Sequence, residues 1–115
     1  MTREEIKTFC LSLPGAELSV KWGDDTVFSI GLKMFVAHGS SGDSLSFKCS
    51  DDAFQMLTES GVATPAKYLA RAKWVSMPMD AISKDELEQR LEMAYAIVRA
   101  KLTKKLQAEL PAYQE

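Results

Sequence analysis

The sequence predicts an α+β domain, with an antiparallel β-sheet of about five strands and helices packed on one face. Three observations lead there. A Thr2-x-x-Glu5 capping box opens a segment whose apolar residues Ile6, Phe9, Cys10 and Leu13 recur at helical spacing. Between Ser19 and Cys49 the apolar period drops to two, and glycines separate the runs. A second capping box, Ser83-x-x-Glu86, then opens a stripe of Leu87, Leu91, Ala94, Tyr95, Val98 and Leu102, about five helical turns long. Helix, several strands, helix, strand, helix is the order of a layered α+β fold.

Each element has its own warrant. The first helix spans about residues 3–12 and stops at Leu13-Pro14-Gly15, where proline removes a donor and glycine favours a turn. Lys21-Trp22 belongs to a first short strand or to its approach. Val27–Ile30 is rich in β-formers, and Gly31 separates it from Lys33–His38. In that second run strict alternation puts Met34 and Val36 on one face, Lys33 and Phe35 on the other. Gly39–Asp43 is a turn by composition, after which Leu45, Phe47 and Cys49 alternate with polar residues. Short connections between neighbouring strands favour an antiparallel meander. Ser50 or Asp51 caps a helix that buries Ala53, Phe54 and Leu57 and ends at Gly61. Pro65 can open a short helical turn through Arg71. Lys73–Met77 reads as the last strand, ended by Pro78. One domain over residues 1–110, with a tail at 111–115 marked by Pro111, accounts for the 115 residues.

Composition narrows the chemistry. The 46% hydrophobic and 26% charged content is ordinary for a globular chain, and the net charge of −2 gives no global attraction for polyanions. The N-terminus lacks the basic and apolar regions of a signal peptide, and no apolar run approaches the ~20 residues of a membrane span. Cys10 and Cys49 fall in apolar patterns and read as reduced, buried thiols of a cytosolic protein. One histidine and two distant cysteines give no zinc spacing, and no EF-hand loop occurs, so no metal or other cofactor is expected. His38, at a strand end, reads as a half-exposed structural residue. No G-x-S-x-G, Walker or dinucleotide fingerprint occurs. Asp24-Asp25 and Asp51-Asp52 read as turn and helix-start acids. The chain is not expected to be an enzyme.

Local charge says more. Lys67, Arg71 and Lys73 lie among Tyr68 and Trp74 with no acid between Lys67 and Lys73. Arg99, Lys101, Lys104 and Lys105 form a second acid-free run, which suits the macrodipole at a helix C-terminus. Lys33 and Lys48, on alternating strands, are placed by the same pattern on a shared exposed sheet face. Cations beside aromatics can hold phosphates and stack bases. The same residues also fit a solvated helix turn, with Lys67 and Arg71 four apart, and core aromatics with satisfied polar atoms.

These residues bring out a likeness. Cys10–Ala16 (C-L-S-L-P-G-A), Trp22-Gly23, Gly31–Phe35 (G-L-K-M-F), Phe47-Lys48, Pro65–Leu69 (P-A-K-Y-L), Lys73-Trp74-Val75 and the helix ending A-Y-A-I-V-R-A-K-L resemble the MmcQ/YjbR family of small bacterial proteins, over roughly residues 1–106. The resemblance implies a frataxin/CyaY-like α+β fold and a role in DNA binding. It makes Lys33, Lys48, Lys67, Arg71, Lys73 and Trp74 the candidate nucleic-acid contacts. The acidic iron-binding surface of frataxins is not reproduced, since Glu4 and Glu5 on the first helix are opposed by Arg3 and Lys7. The competing expectation is a small-ligand or protein-interaction domain, motivated by the acidic balance and by Phe35 and Trp74 near sheet-face positions.

Overall fold

A computed structural model describes residues 1–113. The chain runs α1 (Arg3–Ser12), β1 (Glu17–Lys21), β2 (Asp25–Ile30), β3 (Lys33–His38), β4 (Ser44–Lys48), α2 (Asp51–Glu59), β5 (Thr64–Pro65), a short 3-10 turn (Ala70–Ala72), β6 (Trp74–Pro78), α3 (Lys84–Ala100) and α4 (Lys104–Glu109). The described residues form one antiparallel sheet of six strands in the order β1-β2-β3-β4-β6-β5, one strand more than expected. The extra strand lies where a helical turn was expected: Pro65 pairs with Val75 at the sheet edge, where its missing N–H is tolerated. Tyr68 (φ 68°) and Lys73 (φ 62°) are left-handed, so residues 66–73 form successive turns around the short 3-10 segment. Lys67 and Arg71 are therefore not neighbours on a helix face.

The register Phe28↔Val36↔Phe47↔Val75 aligns one sheet face, and those side chains share a single core with Ile6 and Cys10 of α1, Ala53 and Leu57 of α2, and Leu87, Leu91, Ala94 and Tyr95 of α3. The helices thus cover one face. Both expected capping residues act: Thr2 accepts from Glu5 N while the Glu5 carboxylate accepts from Thr2 N, and Ser83 accepts from Glu86 N. Ser50, not Asp51, caps α2.

Strict alternation fails once. The β2–β3 register shifts between Phe28 and Ser29, whose partners are Val36 and Met34, leaving Phe35 as an extra residue. Phe35 and Val36 are consequently both buried, and the Phe35 ring meets Tyr95 edge-on at 5.6 Å. Trp22, expected near the first strand, lies in the β1–β2 turn with φ 52°. His38 is buried and not half-exposed: its ring lies 6.1 Å from Phe28 and Nδ1 donates to Gly39 O at 2.9 Å.

The turn between β2 and β3 is tight, with positive φ at both Gly31 (56°) and Leu32 (68°). Glycine is required at the first position twice over, because a Cβ there would lie 2.6 Å from Leu102 Cδ1. Tyr95 ties α3 to the turn that follows α1. Its hydroxyl donates to Pro14 O at 2.5 Å and accepts from Arg99 Nη1 at 2.8 Å. Arg99 Nη2 donates to Pro111 O at 2.7 Å, and the Tyr113 ring packs edge-on to Tyr95 at 4.9 Å. Residues 111–113 of the expected tail therefore pack on α3, and residues 114 and 115 lie outside the described residues.

Candidate nucleic-acid interface

The ends of three neighbouring interior strands and of one helix meet at one end of the sheet. β3 begins there with Lys33, β4 ends with Lys48, β6 begins with Trp74, and α3 runs out into Lys101 and Leu102. Between them lies an open concavity of about 440 Å³, lined by Met34, Leu69, Ala72, Trp74, Val98 and Leu102 together with Lys33, Lys48 and Lys101. The floor is mostly apolar, and the charged residues that line it are all lysines.

Backbone geometry fixes this arrangement. The Gly31-Leu32 turn is held against Leu102, which sets Lys33 beside the end of α3. Lys48 faces Trp74 in register across β4 and β6. Its ammonium donates to Ala72 O, tying the β4 end to the 3-10 turn. Burial pushes the Lys48 pKa down, and the nearby positive charge of Lys101 lowers it further; Lys73 adds to this, while Cys49 and Asp51 oppose it. Among the described residues none of Lys33, Lys48 and Lys101 forms an ion pair; the salt bridge present, Lys84–Glu5 at 3.0 Å, is elsewhere. Among the described residues, then, the three ammonium groups of the concavity have no salt bridge to a carboxylate.

Of the six residues singled out in the sequence, Lys33, Lys48 and Trp74 come together here. Trp74 is only 4% exposed and forms a wall, so its ring has no free face for a base. Tyr68 is the exposed aromatic, at 91%, and directly precedes the lining residue Leu69. It sits in left-handed backbone, a conformation that costs an L-residue of order 1 kcal/mol or more. The Lys67 ammonium lies 5.3 Å from the Tyr68 ring centroid. Lys73 turns away, its ammonium 5.0 Å from the Phe54 ring of α2. Arg71 is exposed and does not line the concavity.

Lys101 was missed as a site residue. Its signal was present in the acid-free run of Arg99, Lys101, Lys104 and Lys105, but that run is not one helix end. α3 stops at Ala100, Arg99 is spent on Tyr95, Pro14 and Pro111, and Lys104 and Lys105 open α4 at its positive pole. Of the four, Lys101 alone lines the concavity.

The thiols offer little chemistry. Burial pushes the Cys10 pKa up to about 12, and it also raises that of Cys49, whose thiol donates to Lys73 O at 3.3 Å. Among the described residues no group of three or more His, Cys, Asp and Glu is placed to hold a metal ion, and no helix is long and apolar enough to cross a membrane.

A family model described as YjbR matches residues 11–97, about three quarters of the chain. The chain belongs to the YjbR family. The match takes in most of the motifs that carried the resemblance, from the Leu-Pro-Gly stop of α1 to Tyr95 of α3. A crystal structure of a Deinococcus radiodurans protein with domain DUF419 is similar in fold, with a TM-score of 0.85 at 23% sequence identity, covering 94% of this chain and 86% of that one. No curated protein matches the chain.

Proposed function

We propose that this YjbR domain is a non-enzymatic, cytoplasmic module that binds a DNA strand in its single-stranded form at the concavity. Lys33, Lys48 and Lys101 hold successive phosphates, and Tyr68 offers its ring to an unstacked base. The observation that carries this reading is the set of three lysines, without ion pairs among the described residues, around one apolar hollow. Burial first, and then the positive charge of Lys101, disfavour the charged form of Lys48, so a phosphate beside Lys48 offsets that repulsion as well as gaining attraction. An exposed aromatic beside a cationic groove is the arrangement that sequence-tolerant single-strand binding uses. The net charge of −2 confines the attraction to this patch and predicts modest affinity.

A second reading has its own support. The floor of Met34, Leu69, Trp74, Val98 and Leu102 suits the apolar body of a small anionic ligand, with the lysines holding its charged end. Fluorescence anisotropy with labelled oligothymidylates of increasing length, alongside competition by a mononucleotide, separates the two. The DNA reading predicts binding at low salt that strengthens with length and falls at least tenfold in the Lys33→Ala/Lys48→Ala/Lys101→Ala variant. A mononucleotide competing as well as a twelve-mer favours the small ligand. No binding at tens of micromolar protein refutes the DNA reading.

A further inference from the structure

The two edges of the sheet are treated differently. The β5 edge is only Thr64–Pro65, and a two-residue strand bearing proline cannot template another strand. The β1 edge is five residues long, contains no proline, and pairs with β2 in an unbroken register from Glu17↔Ser29 to Lys21↔Asp25. Its apolar side chains are exposed: Val20 at 60%, Leu18 less so, and Trp22 just beyond the strand at 64%. An edge of this kind normally carries a protective device. Here the charges sit only at its two ends, and they are of opposite sign.

That pattern is self-complementary. If a second β1 lies antiparallel with Ser19 opposite its own copy, Glu17 faces Lys21 and Leu18 faces Val20, each pair occurring twice about a two-fold axis. Like-charged residues do not face each other in this register, and the exposed Leu18 and Val20 of the strand each gain an apolar partner. A shift by one residue in either direction breaks the Glu17–Lys21 pairing and moves Val20 off Leu18. We propose that two copies of this chain associate edge to edge through β1, centred on Ser19, to form a continuous twelve-stranded antiparallel sheet. Such an interface is isologous and closes at two copies, because each protomer's other edge is blunted. It leaves the concavity free, since β2 separates β1 from the strands that build it.

Charge reversal tests the register. Glu17→Lys places lysine against lysine in its homodimer, and Lys21→Glu places acid against acid. A mixture of the two variants restores both opposite-charge pairs. Sedimentation velocity over a range of concentrations is expected to show a mass of twice 12.8 kDa for the wild type. Each variant alone should dissociate with a constant at least tenfold higher, and the equimolar mixture should return to within threefold of the wild type. Circular dichroism checks that the exposed substitutions leave the fold intact. A wild-type chain that stays monomeric at several hundred micromolar overturns the proposal. So does an unaltered Glu17→Lys dimer, or a mixture no tighter than its separate components.

Discussion

Salt dependence gives the sharpest test of individual lysines. Binding single-stranded DNA through Z phosphate contacts makes the logarithm of affinity fall with the logarithm of salt at a slope of about −0.7Z. Three lysines line the concavity, which sets the slope at about −2. Raising salt from 50 to 200 mM should then weaken binding roughly 20-fold. Replacing Lys101 with alanine leaves two contacts, a slope of about −1.4 and a loss of roughly sevenfold over the same range. Arg71→Ala should leave the slope unchanged, because Arg71 does not line the concavity. Tyr68→Ala should lower affinity at every salt concentration, by a stacking contribution of about 1–3 kcal/mol, with the slope preserved. Anisotropy titrations at four or five salt concentrations measure all of this. A wild-type slope shallower than one contact, or a Lys101→Ala slope equal to the wild type's, refutes the assignment.

Three further expectations concern the scaffold. Gly31→Ala forces an L-residue into φ 56° and drives its Cβ into Leu102; the two costs together predict a loss of about 2–4 kcal/mol in urea unfolding. Tyr95→Phe keeps the ring contacts with Phe35 and Tyr113 but removes the hydroxyl that links Pro14 O to Arg99, and should cost about 1–2 kcal/mol in the same assay. Glu5 is held at a pKa of about 2, chiefly by its hydrogen bond from Thr2 N and then by Lys84, against an ordinary 4.5. A carboxylate with a depressed native pKa contributes stability that is present above pH 4.5 and lost as pH falls toward 2. Glu5→Gln should therefore flatten the thermal-melting profile between those two pH values, and an unchanged profile contradicts the assignment.

Much of the fold was legible because local signals and tertiary packing agree. Thr2 and Ser83 both cap real helix starts, Thr2 in a full capping box with Glu5 and Ser83 by accepting from Glu86 N, and the apolar stripe of α3 is the stripe that lies on the sheet. Legibility failed where the chain departs from a simple period. The bulge at Phe35 turned one strand's alternation, which no composition signal near Lys33–His38 announces. Pro65 fits a helix start and an edge strand equally well, and only pairing with β6 decides between them. The site divided in the same way. Lys33, Lys48 and Trp74 were visible as basic and aromatic residues, but their meeting depends on strand register and on the reach of α3. Lys101 looked like one of four helix-end cations until the break between Ala100 and Lys104 separated it from the rest. Burial, which a sequence states poorly for amphipathic rings, separates the two aromatics: Trp74 is buried and Tyr68 is exposed.

Chemical-shift mapping tests the central assignment most directly. In a 15N-labelled sample titrated with a twelve-nucleotide oligothymidylate at low salt, the amides of Lys33, Lys48, Tyr68, Leu69 and Lys101 should shift together and saturate with one dissociation constant. Shifts confined to another face, or none at all at millimolar oligonucleotide, would contradict the account.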